Sequence, residues 1–462
     1  MTEIQEAGTA EPKAGASRGR PDAEGGAPAE TSAETSAETP TETPTETSAE
    51  TGLRGSDVAA AGQEPAGGKA AEMESAGTEG AGAEPAESRG PDDEAQRWWH
   101  VRRGDVTALL IWFFWHVGTY IYMVLAAPGR SDAPLLDRLT PWDSDNFIAI
   151  AQYGYDGSPG MQDAPRLTAF FPGLPLFLRY VHLIVSDWSL AIVLVSLVAS
   201  AVVAVALWRL AEDMRAGSGM LAVLAFYLSP FAVFMLAGYS EAPFLALAIP
   251  AWLLARKGRW EAAVVCAAFA SSVRISGLFL AAGLAVAFLV SEKGLRSTGW
   301  RTAPWLVVPV APVLAYMGYL YVRTGDLMAW KQAEAVYWGR FPEKPWTVFL
   351  NTWHRSMEEP LLQTSYREEI LAAAVLVALI IWQLVRRRWA DFAYLAPQAV
   401  ALLAMSSFYM SVGRASLLWW PLYLSVGVTA VRKPWVFMAY VAVAAPVMAI
   451  NVGNFTTGAW VG

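Results

Sequence analysis

From Val106 onward the chain is a succession of apolar runs separated by polar connections. The runs fall at about 106–127, 188–209, 219–237, 242–256, 260–273, 275–291, 303–322, 369–385, 391–409, 414–430 and 435–452. A helix that crosses a bilayer needs about 17–25 largely apolar residues. Most of these runs meet that length; the fourth and fifth are short and interrupted by Gly and Arg. The pattern predicts an all-α, polytopic integral membrane protein with about eleven transmembrane helices. Two connections, about 128–187 and 324–368, are too long to be simple turns.

Residues 1–96 show no such periodicity. They are built from Ala, Glu, Gly, Thr, Pro and Ser, with imperfect repeats such as SAETSAETPTETPTETSAET at 32–51 and no aromatic residue before Trp98. A segment of this kind cannot bury enough apolar surface to offset its ordering entropy, so it reads as a disordered acidic tail. It has no basic stretch followed by an apolar one and is not a secretory signal. The expected domains are therefore a tail over 1–96 and a membrane domain over 97–462.

Charge divides along the same boundary. The tail holds 21 of the 42 acidic residues and 6 of the 34 basic ones, leaving the membrane part with 21 acidic and 28 basic, a net of +7. The overall charge of −8 thus belongs to the tail and says nothing of the membrane part's partners. With the tail inside, 16 of the 28 basic residues, from Arg97 and Arg102 through Arg386, Arg387 and Arg388 to Lys433, fall in short connections on one side. That asymmetry predicts a cytoplasmic N-terminus and places both long loops outside. Cys266 stands alone in an apolar run, which excludes a disulfide framework and a thiolate metal site. No nucleic-acid partner is expected.

The first outer loop carries the densest chemistry, in PWDSDNFIAIAQYGY from Pro141 to Tyr155. Acidic groups at a membrane edge are costly unless used. Pro141 suits a turn, Asp143 or Ser144 a helix cap, Phe147, Ile150 and Ala151 share one face at helical spacing, and Gly154 suits the stop. Such a helix would lie in the interface with its apolar face down. The Phe-Phe-Pro segment from Thr168 predicts a kinked or re-entrant partner behind it. Asp143 has two readings: a helix cap worth about 1 kcal/mol, or a general base that takes a proton from a hydroxyl nucleophile. Asp145 is the second candidate for that base. The D-x-D spacing also admits a divalent cation, but two carboxylates without a nearby His do not complete a protein site, and no cofactor is favoured.

The pattern W-D-x-x-x-F-x-x-I-A-x-x-G-Y, Trp142 to Tyr155, resembles the first outer loop of the PIG-V-like mannosyltransferases, relatives of the GPI mannosyltransferases with the GT-C membrane fold. Weaker matches follow in order. They are Phe171 to Pro175, Ser229-Pro230 before Tyr239-Ser240-Glu241, Arg274 to Gly277, Arg323 to Asp326 before Trp338-Gly339-Arg340, and Ser411 to Arg414. The resemblance implies transfer of mannose from a polyprenyl-phosphate donor to a hydroxyl of a lipid- or protein-linked glycan, outside the cytoplasm and with inversion. It makes Asp143 the expected base.

A departing lipid phosphate needs nearby cations. Arg274 and Arg414 fit best, each beside an apolar run on the outer side, with Arg179, Arg340 and Lys331 behind them. Their alternative is an interfacial snorkelling role. Glu241 would orient the acceptor, bridge to an arginine or cap a helix, and Trp142 is expected to touch substrate. Trp330, Tyr337, Trp338, Trp346 and Trp353 are suited either to stacking on a sugar or to an aromatic belt. His182 and His354 lack ligand spacing and read as structural. The rival functions are a lipid-linked saccharide flippase, disfavoured because the charges gather at one surface rather than the midplane, and a same-fold transferase of another sugar. A plasma-membrane location is expected, or the endoplasmic reticulum in a eukaryote. Deleting residues 2–90 should change the transfer rate in vesicles by less than about twofold, because a segment without a core has no means of shaping a distant site; a large loss would overturn the passive-tail reading.

Overall fold

Apolar runs fold into helices here, but only some do so over their whole length. The computed structural model describes residues 101–126 and 134–462. The acidic tail and the beginning of the first long connection lie outside the described residues.

In chain order the helices are α1 (Arg103–Ala126), α2 (Asp143–Tyr153), α3 (Gly173–His182), α4 (Trp188–Met214), α5 (Gly219–Tyr227), α6 (Glu241–Arg256), α7 (Trp260–Val273) and α8 (Ser276–Val290). They continue with α9 (Ala311–Thr324), α10 (Ala329–Trp338), α11 (Pro345–Glu358), α12 (Gln363–Val385), α13 (Trp389–Leu403), α14 (Val412–Ala415), α15 (Trp420–Ala430) and α16 (Pro434–Thr456). Among the described residues there is no strand. Among the described residues five helical segments are long and apolar enough to cross a membrane: Arg103–Leu125, Trp188–Met214, Trp300–Thr324, Gln363–Val385 and Pro434–Thr456. The helices α7 and α8 are apolar but shorter.

Several apolar runs, including the first part of the Trp300–Thr324 segment, are interrupted, and prolines mark some of the breaks. A proline lacks the N–H that would continue the ladder and clashes with the preceding turn. The run at 219–237 is α-helical only to Tyr227. Past Pro230 it becomes an irregular, wholly buried segment with a 3-10 turn at Ala232–Met235. Several of its backbone groups bond locally or across the fold, as where Gly238 N–H donates to the Leu139 carbonyl at 2.9 Å. Irregular backbone at membrane depth is tolerated when protein encloses it in this way. The run at 303–322 opens as a 3-10 helix containing Pro304 and Pro309, and the run at 414–430 regains an α-helix only at Trp420.

Packing builds the core around α4, which contacts α1, α5 and α6. Close helix approach depends on small residues. A Cβ on Gly277 would sit 2.3 Å from the Ser271 Cα, and one on Gly427 2.8 Å from the Ala222 nitrogen. Arg209 grips Asp105 with two hydrogen bonds of 2.8 and 2.6 Å, fixing one end of α1 to α4. Tyr394 and Trp420 stack at 4.2 Å, joining α13 to α15.

The long connection before α4 departs from its expected setting. Phe147, Ile150 and Ala151 do share a face of α2, but that face is buried against protein rather than laid on lipid. Phe170 meets Phe147 edge-on at 5.1 Å, and Arg179 donates to the Ala151 carbonyl. The Phe-Phe-Pro segment forms α3, ten residues and so about 15 Å long. Leu176, Phe177 and Tyr180 are its exposed apolar positions. Gly154 ends α2 at φ 74°, a conformation that suits glycine.

Gly277→Val should lower the detergent-solubilised melting temperature by several degrees, since overpacking costs about 1–3 kcal/mol. Gly318, whose added Cβ would meet nothing within 4 Å, is the control: Gly318→Ala should leave the melt unchanged.

Candidate active site

The chain reaches the site through a strained residue. Trp142 precedes α2 with φ 54° and ψ −102°, a conformation that costs a non-glycine residue on the order of 1–3 kcal/mol. Three contacts hold the backbone there: Tyr239 OH donates to the Pro141 carbonyl at 3.0 Å, Ser144 Oγ donates to the Gly238 carbonyl at 2.7 Å, and Gly238 binds Leu139. The head of α2 is thereby tied to the irregular segment before α6. No side chain caps α2, and Asp143 is its first residue rather than its cap. The capping reading fails because this carboxylate is used elsewhere.

Arg414, in the short turn α14, donates from Nη1 to Asp143 Oδ2 at 2.8 Å. Its Nε lies 3.1 Å from Glu241 Oε1, and its guanidinium stands 5.4 Å from the ring centres of both Phe234 and Tyr239. Arg274, just past α7, donates from Nη1 to the same Glu241 oxygen at 2.7 Å and to Ser240 Oγ at 2.6 Å. Glu241 is 0% exposed and its other oxygen, Oε2, has no hydrogen-bond partner. A chain of alternating charge therefore runs Asp143, Arg414, Glu241, Arg274. Burying such charges is tolerable only because each is paired.

These groups border a cavity of about 580 Å³. Its polar end carries Asp143, Arg274, Arg340, Arg414 and the paired Lys331 and Glu334, whose ions meet at 3.0 Å. Phe279 of α8, Ala401 and Leu402 of α13, and Met405 and Leu418 beyond them add apolar lining. Arg340 makes one long contact, 3.5 Å to the Met410 carbonyl. Burial lowers its pKa from the usual guanidinium value; Glu334 opposes this while Arg414 and Arg274 add to it. Counting Glu241 behind the wall, four basic and three acidic groups leave the polar end one positive charge in excess. That balance suits an anion.

Of the residues singled out in the sequence, Trp142, Asp143, Arg274, Arg340 and Arg414 line the cavity, and Glu241 lies just behind it. Asp145 is not among the lining residues. Its neighbours are Arg166 and Asp137; desolvation of the carboxyl raises its pKa and Arg166 opposes that. Trp330 and Trp338 line the cavity, whereas Tyr337, Trp346 and Trp353 stand exposed elsewhere. Arg179 serves the carbonyls of α2, and His182 stacks on Trp188 at 3.6 Å. Sequence reasoning missed Phe234, Glu334, Gln398 and Trp460. Glu334 alone had a signal, its three-residue spacing from Lys331.

Residues 131–291 match the family model described as Mannosyltransferase (PIG-V). Over this segment the chain is PIG-V-like. Trp142, Asp143, Glu241 and Arg274 lie within the matched residues; Arg340 and Arg414 lie beyond them. The chain is 31% identical over 207 residues to the GPI alpha-1,6-mannosyltransferase 2 of Mus musculus, covering 41% of this chain and 40% of that protein. For the Rattus norvegicus enzyme of the same name the identity is 35% over 171 residues, 34% of this chain and 32% of the relative. For the Homo sapiens enzyme it is 30% over 205 residues, 42% and 38%. The matched part thus spans two fifths or less of these relatives' length. No solved structure matches the chain.

Removing a member of a buried charge chain strands its partners. Glu241→Ala leaves Arg274 and Arg414 facing one another and should destabilise the fold by about 3–5 kcal/mol, read as a lowered thermal melt in detergent. An unchanged melt would refute the chain of pairs.

Proposed function

We propose that the protein is a multi-pass membrane mannosyltransferase that moves mannose from a polyprenyl-phosphate donor to a hydroxyl of a lipid- or protein-linked glycan. The observation that carries this reading is a cavity lined by a carboxylate and three arginines together with apolar side chains from α8 and α13. The apolar lining suits the first isoprene units of the carrier. The arginines suit its phosphate. The likeness to enzymes named GPI alpha-1,6-mannosyltransferase 2 supports mannose as the sugar.

The proposed reaction balances as follows. The acceptor oxygen attacks C1 of the mannose from the face opposite the phosphate, and its proton passes to Asp143. The bond from C1 to the phosphate oxygen breaks, and the polyprenyl phosphate leaves. Its charge rises from about −1 to −2 as the diester becomes a monoester. Arg340, which has little else to bind, and Arg274 meet that developing charge, where preorganised cations contribute most. Back-side attack inverts the centre, giving an α-mannoside from a β-linked donor. Arg414 holds one oxygen of Asp143 and leaves the other as the proton acceptor.

In this reading Asp145 has no part in catalysis and no metal is required, because guanidinium groups supply the positive charge. About eleven segments cross the membrane, five as full-length helices and the rest as shorter or broken ones. The N-terminus is cytoplasmic and the cavity faces outward, in the plasma membrane or, in a eukaryote, the endoplasmic reticulum.

The test is transfer in reconstituted vesicles from a radiolabelled polyprenyl-phosphate mannose. Asp143→Asn, whose amide oxygen can still accept from Arg414, should insert and fold with a modestly lowered melt but lose transfer by about 10²–10⁴-fold, the range of a lost general base. Full activity in that variant would remove Asp143 as the base. Transfer should survive chelation by EDTA. Movement of the lipid-linked sugar across the bilayer without transfer would favour a flippase instead.

A further inference from the structure

Glu369 is a charged residue in an apolar helix, 0% exposed, and the chemistry above makes no use of it. It lies in α12, across from the turn that carries Arg414. Its Oε2 accepts the backbone N–H groups of Val412 at 2.7 Å and Gly413 at 3.1 Å, while Oε1 has no partner. Burying a carboxylate is expensive, and two backbone donors are a modest return for a residue that Leu could replace in packing terms.

The gripped turn is itself unusual. Ser411, a non-glycine residue, sits in the left-handed region at φ 62° and ψ 21°. Such conformations persist where the surroundings over-determine them. On its other side the turn is wedged against Phe231, since a Cβ on Gly413 would meet that ring at 2.2 Å. Farther back, the irregular connection from 404 is pinned by the second long connection. Tyr409 N–H donates to Thr352 Oγ1 at 2.8 Å, and Asn351 Nδ2 donates to the Ser407 carbonyl at 2.8 Å. Those contacts fix residues 407–409; Glu369 fixes 412–413, one residue from Arg414.

We propose that Glu369 is a positioning residue. Its carboxylate locks the turn at 411–413 so that the Arg414 guanidinium reaches Asp143 and Glu241 together. The inference rests on the transferase reading for its catalytic consequence but not for its geometry. A base displaced by about 1 Å can cost on the order of 10²-fold in rate, and Glu369 would act at that range through Arg414 without touching substrate.

Two measurements on the full-length protein test this. The first needs no turnover: phenylglyoxal modification of Arg414, followed by peptide mapping. In the parent, Arg414 is held between two carboxylates and should react slowly. Glu369→Leu should raise its labelling several-fold. Glu369→Gln, which keeps an acceptor oxygen at the same reach, should label like the parent. Glu369→Asp, which keeps the charge but shortens the reach, should label faster, and carries the test if the Leu variant does not fold. Unchanged labelling in the variants that fold, or a Gln variant as reactive as the shortened one, would overturn the proposal.

The second is a double-mutant cycle on transfer. Glu369→Leu should lower kcat by about tenfold or more, with Glu369→Gln keeping most of the activity. In an Arg414→Lys background the Leu substitution should add little further loss, because residues acting through one another are not additive. Losses that multiply would show a general structural role and overturn it. If the parent transfers nothing from any polyprenyl-phosphate mannose, the transferase reading fails, while the labelling still decides the role of Glu369.

Discussion

One guanidinium holds this site together. Arg414 binds Asp143 with Nη1 and Glu241 with Nε, and its face rests near two aromatic rings. Its planar fork, with donors in fixed directions, suits two carboxylates at once; a lysine ammonium on a flexible stem would not hold both in the same way. Remove the constraint and the rest loosens in order. Glu241 is left with Arg274 alone, Asp143 loses its partner, and the strained Trp142 has less to hold it. Buried charges of this kind do little for stability compared with a well-packed apolar core of the same volume. Their retention is more readily understood as orientation, setting two acidic and two basic groups at fixed separations beside a cavity.

Much of this was legible in the sequence, for a physical reason. A charge beside an apolar run stands out because membrane depth makes it costly. Asp143, Arg274 and Arg414 were conspicuous on that ground, as was the general all-helical architecture. Asp145, the second candidate named from the same motif, does not line the cavity. Two residues along a helix turn about 200° around the axis, so a D-x-D pair at the head of α2 cannot present both carboxylates to one cavity. Glu369 was passed over. An acid near the start of an apolar run resembles an ordinary helix end, and nothing local tells that its oxygen reaches a turn 43 residues away.

The breaks in the apolar runs were harder to foresee. Hydropathy reports how apolar a segment is and not whether its backbone continues as a helix. Pro230 marks one interruption, and Pro304 and Pro309 together mark another. The enclosed, irregular backbone from Leu228 to Ser240 is where the site gains Phe234, Tyr239 and Ser240. The same property that made that stretch a poor spanning helix made it a useful wall, because an unwound segment can turn several side chains toward one point.

The span of the Asp143–Arg414 pair also has a consequence for biosynthesis. The two partners are 271 residues apart in the chain. At about 5–20 residues per second, a translating ribosome needs roughly 15–50 s to make the second after the first. During that interval the early helices are already being inserted, with Asp143 lacking its partner and Glu241 holding only Arg274. The nascent chain is therefore assembled with an incomplete charge chain and gains its final cation near the end of synthesis. A chain truncated before residue 414 would contain most of the helices and still leave Asp143 and Glu241 without the guanidinium that joins them.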